Sequence, residues 1–158
     1  MWLALNAANR FHKLVLSNTA AKIGSPEIWN PRIEAVRKGG MKSISTGVME
    51  RWFSAEYRAK SPDVVASTKL VFEGANPEGY VANCAAIRDF DAREAISAIR
   101  VPTLVIAGTH DVATTPAEGR YLADHIAGAR YVELNAAHLS NIENRDRFNI
   151  ELNTFLVS

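Results

Sequence analysis

The sequence has a single cysteine, Cys84, among 158 residues. One thiol forms no internal disulfide and is too few for a zinc site built from cysteines. Net charge is also scarce: 18 Lys and Arg against 17 Asp and Glu leave +1. A nucleic-acid surface needs a basic excess to release counterions, so no nucleic-acid partner is expected. No apolar run approaches the roughly 18 residues of a membrane span, and no membrane partner is expected. The opening residues, Met1-Trp2-Leu3-Ala4-Leu5-Asn6, carry neither a basic leader nor a cleavage pattern. A cytoplasmic location is therefore the expectation. Low-complexity segments are absent too. What remains is 47% hydrophobic and 22% charged, the composition of a globular domain. A chain of about 150 residues buries roughly 68–70% of its unfolded surface, enough for a real core.

Three segments read as strands. Thr103-Leu104-Val105-Ile106-Ala107 is the clearest, a continuous β-branched run between Val101-Pro102 and Gly108. Unbroken runs of this kind mark strands buried on both faces, as in parallel sheets. Lys13–Ser17 and Arg130–Leu134 are the other two. Between the second and third, Thr115-Pro116-Ala117-Glu118 reads as a capping box with proline at the first helical position. The helix it opens ends at Gly128. Strand, helix and strand at this spacing form a βαβ unit with parallel strands. Ser140-Asn141-Ile142-Glu143 reads as a second capping box, the start of a final helix striped by Phe148, Leu152, Phe155 and Leu156.

The segment between the first two strands is helical throughout. One start signal recurs three times, as Ser25-Pro26-Glu27, Ser61-Pro62-Asp63 and Asn76-Pro77-Glu78. Each places a capping side chain before a proline and an acid in the first turn. Four helices follow from the apolar stripes. An insert this long is not a simple crossover. The expected architecture is α/β: three parallel strands carrying an inserted helical lid, with the core at 1–24 and 98–158 and the lid at 25–97.

In open α/β sheets, ligands bind beyond the carboxyl ends of the strands. The residues there are Asn18-Thr19-Ala20, Gly108-Thr109-His110-Asp111 and Asn135-Ala136-Ala137-His138-Leu139-Ser140. Asp111 and His138 occupy equivalent places after neighbouring strands. A carboxylate there orients one imidazole nitrogen and leaves the other as a general base. Taken singly, each also suits a turn or loop role. Their chain order, acid then histidine, is the tail of an α/β-hydrolase triad.

Several stretches together resemble the C-terminal part of 3-oxoadipate enol-lactonases, a family of α/β-hydrolases. They are Leu16-Ser17-Asn18-Thr19-Ala20-Ala21-Lys22-Ile23-Gly24-Ser25-Pro26-Glu27, Met49-Glu50-Arg51-Trp52-Phe53, Glu78-Gly79-Tyr80, Cys84-Ala85-Ala86-Ile87, Val105-Ile106-Ala107-Gly108-Thr109-His110-Asp111 and His138-Leu139-Ser140-Asn141-Ile142-Glu143. The resemblance runs from Trp2 to the end. It implies a Ser-Asp-His hydrolase of aromatic-acid catabolism without a cofactor, with Asp111 as the acid and His138 as the base. The family's Gly-x-Ser-x-Gly elbow has no counterpart: that pattern occurs nowhere in the 158 residues. Ala137 stands where a glycine often precedes the histidine, and Arg145 where a proline is common. The expectation is a fragment that is inactive alone, with a first strand whose open edge invites self-association. Another lidded hydrolase of esters or lactones, or a non-catalytic fragment, are the alternatives.

The resemblance also implies a substrate, a small lactone carrying a carboxylate. Guanidinium grips carboxylate bidentately, and an aromatic wall suits the ring. Trp29 and Arg32, three apart on one helix face, and Trp52 on the next helix are the substrate-binding candidates. Trp29 and Trp52 also lie on apolar stripes, where they would serve lid packing. Arg51, Arg58 and Arg88 are rival partners for the carboxylate. Cys84 reads as buried and inert. No metal is expected, because His110 has no second ligand at i+2 or i+4 on a regular element.

Overall fold

The computed structural model of the chain describes residues 1–158. The chain divides into two compact units, Met1–Ala21 with Asp91–Ser158, and Lys22–Phe90.

The first unit holds the sheet. Strands β1 (Leu14–Ser17), β2 (Thr103–Gly108) and β3 (Arg130–Leu134) lie in the order β1-β2-β3, and both pairings are parallel. Every residue of the central strand β2 is buried, as its unbroken apolar run requires. The unit's helices are α1 (Trp2–Asn6), α7 (Pro116–His125), α8 (Ser140–Glu143) and α9 (Arg145–Val157). Leu104 and Ile106 point to one face of the sheet and pack with Leu134, Ala136 and Phe155, against which Val15, Val132 and Phe148 rest. That face is covered by α9. The alternate residues of β2 face α7, and Gly119 is what lets the helix approach. A Cβ there would stand 3.1 Å from Ala107 Cβ and 3.3 Å from the Tyr131 ring.

The second unit contains α2 (Pro26–Gly39), α3 (Lys42–Trp52), α4 (Ala55–Lys60), α5 (Pro62–Glu73) and α6 (Pro77–Asp89). Helix α2 packs on α3 and α6, and α3 packs on α5. Ile33, Val36, Val48, Met49, Phe53, Phe72, Val81 and Cys84 form its buried interior. The sequence placed the limits of the insert at 25 and 97. In the structure the helical unit is Lys22–Phe90, so residues 22–24 go with the helices and 91–97 with the sheet, where Ile96 is fully buried and Ala92 N–H donates to the Ala21 carbonyl (2.9 Å).

Proline begins α2, α5, α6 and α7, as the start signals imply. The capping side chains behave less uniformly. Asn76 Oδ1 accepts the Glu78 and Gly79 amides, and Glu118 Oε2 accepts the Thr115 amide. Ser25 and Ser61 make no capping bond. Ser140 is not a cap at all: it is the first residue of α8, and its hydroxyl is drawn inward to Asn18. Glu143, its supposed box partner, accepts the Ala137 amide instead (3.2 Å). No helix is long and apolar enough to cross a membrane.

Candidate active site

The carboxyl ends of β2 and β3 are stitched together beyond the sheet. Thr109 N–H donates to the Leu134 carbonyl (2.9 Å) and His110 N–H to the Ala136 carbonyl (3.0 Å). Gly108 permits this closeness. A Cβ at that position would lie 2.3 Å from the Ala137 carbonyl oxygen and 2.5 Å from that of Ala136. The loop carrying His138 thus rests directly on the strand end that leads to Asp111.

Asp111 and His138 meet there. His138 Nδ1 lies 2.8 Å from Asp111 Oδ2. The Asp111 side chain is wholly buried, while a quarter of His138 remains exposed (0% and 24%). The carboxylate is therefore sequestered and the imidazole is placed where a reactant can reach it. Asp111 Oδ1 accepts the Ala113 and Thr114 amides (2.7 and 3.0 Å), a local turn that fixes its rotamer. Oδ2 also accepts the Thr114 hydroxyl (2.9 Å) and Asn18 Nδ2 (3.0 Å). Burial pushes the Asp111 carboxyl up, but the bonds from His138, Thr114 and Asn18 outweigh it and hold the group down at about 2. It is a stable anion beside an imidazole.

In the helical unit, Trp29, Arg32 and Trp52 belong to one chain of contacts. Trp29 Nε1 donates to the Ile23 carbonyl (2.7 Å), and the Arg32 guanidinium stands 5.5 Å from the Trp29 ring centroid. Arg32 Nη1 donates to the Tyr80 hydroxyl (3.3 Å). Tyr80, Phe72 and Trp52 then follow edge to face, each step 5.4 Å between centroids. Arg32 is thus held by neutral groups. Arg88, in contrast, is engaged bidentately by Asp89 and bonded to Asn30. Arg51 is exposed, and Arg58 is half-buried with its Nε unpartnered. His110 pairs with Asn135 (2.8 Å), and no three His, Cys, Asp or Glu side chains are grouped to hold a metal ion.

No protein-family model matches the chain. It is similar to 3-oxoadipate enol-lactonase 2 of Acinetobacter baylyi, 36% identical over 148 residues, which cover 94% of this chain and 55% of that protein. The crystal structure of the enol-lactonase from Burkholderia xenovorans superposes with a TM-score of 0.96 at 49% identity, over 99% of this chain and 60% of that one. The chain belongs to the α/β-hydrolases. A thermophilic esterase from Thermogutta terrifontis, solved with malate bound, shares this hydrolase fold at 26% identity and a TM-score of 0.88, over 98% of this chain and 60% of its own. The chain spans about half the length of the curated relatives it matches.

Three residues bonded around Asp111 and His138 were not singled out in the sequence: Asn18, Thr114 and Ser140 in its inward role. Thr114 had only a weak signal: Asp111 after Gly108 suits an Asx-turn to the Ala113 amide, which leaves Thr114 next to the carboxylate. Asn18 had a weaker one, its place directly after β1. Nothing in the sequence distinguishes a serine that caps a helix from one that reaches a neighbouring loop.

Proposed function

We propose that this chain supplies the acid and base of a Ser-Asp-His hydrolase that opens 3-oxoadipate enol-lactone to 3-oxoadipate in aromatic-acid (β-ketoadipate) catabolism. The observation that carries the proposal is the 2.8 Å contact between His138 Nδ1 and a buried, multiply bonded Asp111. The similarity to enol-lactonases supports the choice of substrate.

The serine comes from outside these 158 residues. Its Oγ attacks the lactone carbonyl as its proton passes to His138 Nε2. Asp111 holds the Nδ1–H and stabilises the imidazolium without itself taking the proton. The acyl–oxygen bond breaks, and the leaving enol oxygen takes the proton from Nε2. Water, deprotonated by the same nitrogen, then attacks the acyl carbon, and Nε2 returns that proton to serine Oγ as the acid is released. No cofactor enters. Arg32, held by neutral groups, takes the substrate carboxylate, with Trp29 beside it and Trp52, two rings beyond Tyr80, extending the apolar wall.

The test combines this chain with the part of the Burkholderia xenovorans enol-lactonase that it does not cover. The combination is expected to hydrolyse the enol-lactone. His138→Ala should cost about 1000-fold or more in kcat. Arg32→Ala should raise KM far more than it lowers kcat, the mark of lost ground-state binding. A reconstituted enzyme that prefers esters without a carboxylate, with KM unmoved by Arg32→Ala, would favour a second reading, another lidded esterase or lactonase. The fold shared with the malate-bound esterase supports that alternative.

A further inference from the structure

Asn18 is where the loops after all three strands converge. Its backbone lies in the left-handed region (φ 46°), which asparagine enters more readily than most residues. Its Nδ2 donates to Asp111 Oδ2 (3.0 Å) and to the Ala137 carbonyl (3.2 Å). Its Oδ1 accepts the hydroxyls of Ser17 (3.0 Å) and Ser140. Chemistry fixes this orientation of the amide. A carboxylate and a carbonyl only accept, so the face toward Asp111 and Ala137 must be the NH2.

Asp111 Oδ2 receives Asn18, Thr114 Oγ1 and His138 Nδ1 together. Three donors on one oxygen fit the ionised carboxylate and oppose a proton there. Asn18 also grips the residue before His138, so a single amide touches both halves of the pair. We propose that Asn18 is a positioning residue: its amide keeps Asp111 ionised and aims Oδ2 at His138 Nδ1, while Ser17 and Ser140 hold that amide in place. The inference rests on reading Asp111 and His138 as the acid and base. A spacer would need only the shape of asparagine, whereas this role needs its N–H groups.

The charged groups around the pair are Asp111 itself and Glu143, whose carboxylate accepts the Ala137 amide; His110 is turned to Asn135. All of these stay in place in the two variants that test the proposal. Asn18→Gly keeps the left-handed backbone, removes the donor and adds no charge. Asn18→Asp keeps the shape and puts a second carboxylate against Asp111. The readouts on the 158-residue chain are the pH titration of the Asp111 carboxyl carbon by NMR and the exchange rate of the His138 Nδ1 proton, with amide dispersion reporting the fold.

In the parent chain the Asp111 carboxyl should show no inflection above about pH 3, given its position near 2. Asn18→Gly should move the titration up by about one unit and speed Nδ1 proton exchange about tenfold, since a bond to a charged group is lost. In Asn18→Asp the facing carboxylates should share a proton that leaves only well above the ordinary aspartate range. An Asp111 titration and Nδ1 exchange unchanged in Asn18→Gly overturn the proposal. That holds even if Asn18→Asp shifts, because added charge alone produces that shift, and it holds if Asn18→Asp does not fold. Neither readout needs turnover, so a failure of the enol-lactonase reading leaves this result standing.

Discussion

At the scale of single residues, the site depends on an anion kept out of water. The folded Asp111 carboxyl sits at about 2, below its ordinary value of 3.8. A depressed carboxyl contributes stability that is fully present above the unfolded value, near pH 4, and is lost as pH falls toward 2. The size of the shift corresponds to about 2 kcal/mol. Urea unfolding at pH 7, 4 and 2.5 should therefore show the parent losing stability steeply below pH 4, with Asp111→Asn losing less over the same interval. Equal slopes in the two proteins would contradict the assignment. Gly108 is the second critical residue. A methyl added there would meet two backbone carbonyl oxygens, which cannot rotate away as a side chain would. Gly108→Ala should cost about 3 kcal/mol in thermal unfolding and part Asp111 from His138, which the loss of the slow Nδ1 proton signal would report. The meeting of Asp111 and His138 was legible in the sequence because each follows a strand pattern at the same end of two neighbouring parallel strands. Asn18 and Ser140 were not, because their partners lie in loops far away in the chain.

At the scale of elements, helix starts were easier to read than helix caps. Proline at the first position fixes φ and gives up an amide that no helix would satisfy, so Pro26, Pro62, Pro77 and Pro116 mark their helices whatever surrounds them. A capping hydroxyl, by contrast, is free to take a better partner. Asn76 caps α6 with two amides, whereas Ser61 makes no such bond at α5. Asn76→Ala should thus cost about 1 kcal/mol and Ser61→Ala close to nothing, measured by chemical denaturation. Equal losses would show that the two signals are equivalent after all. Helix α4 was hidden for a different reason. Its six residues include no buried one, so no apolar period betrays it; the Tyr57 amide donates to Ser54 Oγ and the Arg58 amide to the Ser54 carbonyl at its start. Strand β2 was the most legible element, being apolar along its whole length.

At the scale of the molecule, the parallel order β1-β2-β3 and the helical unit between β1 and β2 follow from two periodicities: continuous apolar strands, and stripes at helical spacing. The limits of the helical unit were less legible, since no start signal or apolar stripe marks residues 91–97, and Ile96 is fully buried in the sheet unit. The chain covers about half of the length of the relatives it matches, and within it a carboxylate and an imidazole stand paired while no Gly-x-Ser-x-Gly occurs. A triad without its nucleophile retains at most weak assistance from binding. The most direct measurement is the hydrolysis of 3-oxoadipate enol-lactone by the 158-residue chain alone beside its His138→Ala variant. Both are expected to show background rates, with turnover arising only when a serine-bearing part is added. Robust hydrolysis by the chain alone, abolished by His138→Ala, would contradict that expectation by revealing a nucleophile within these residues.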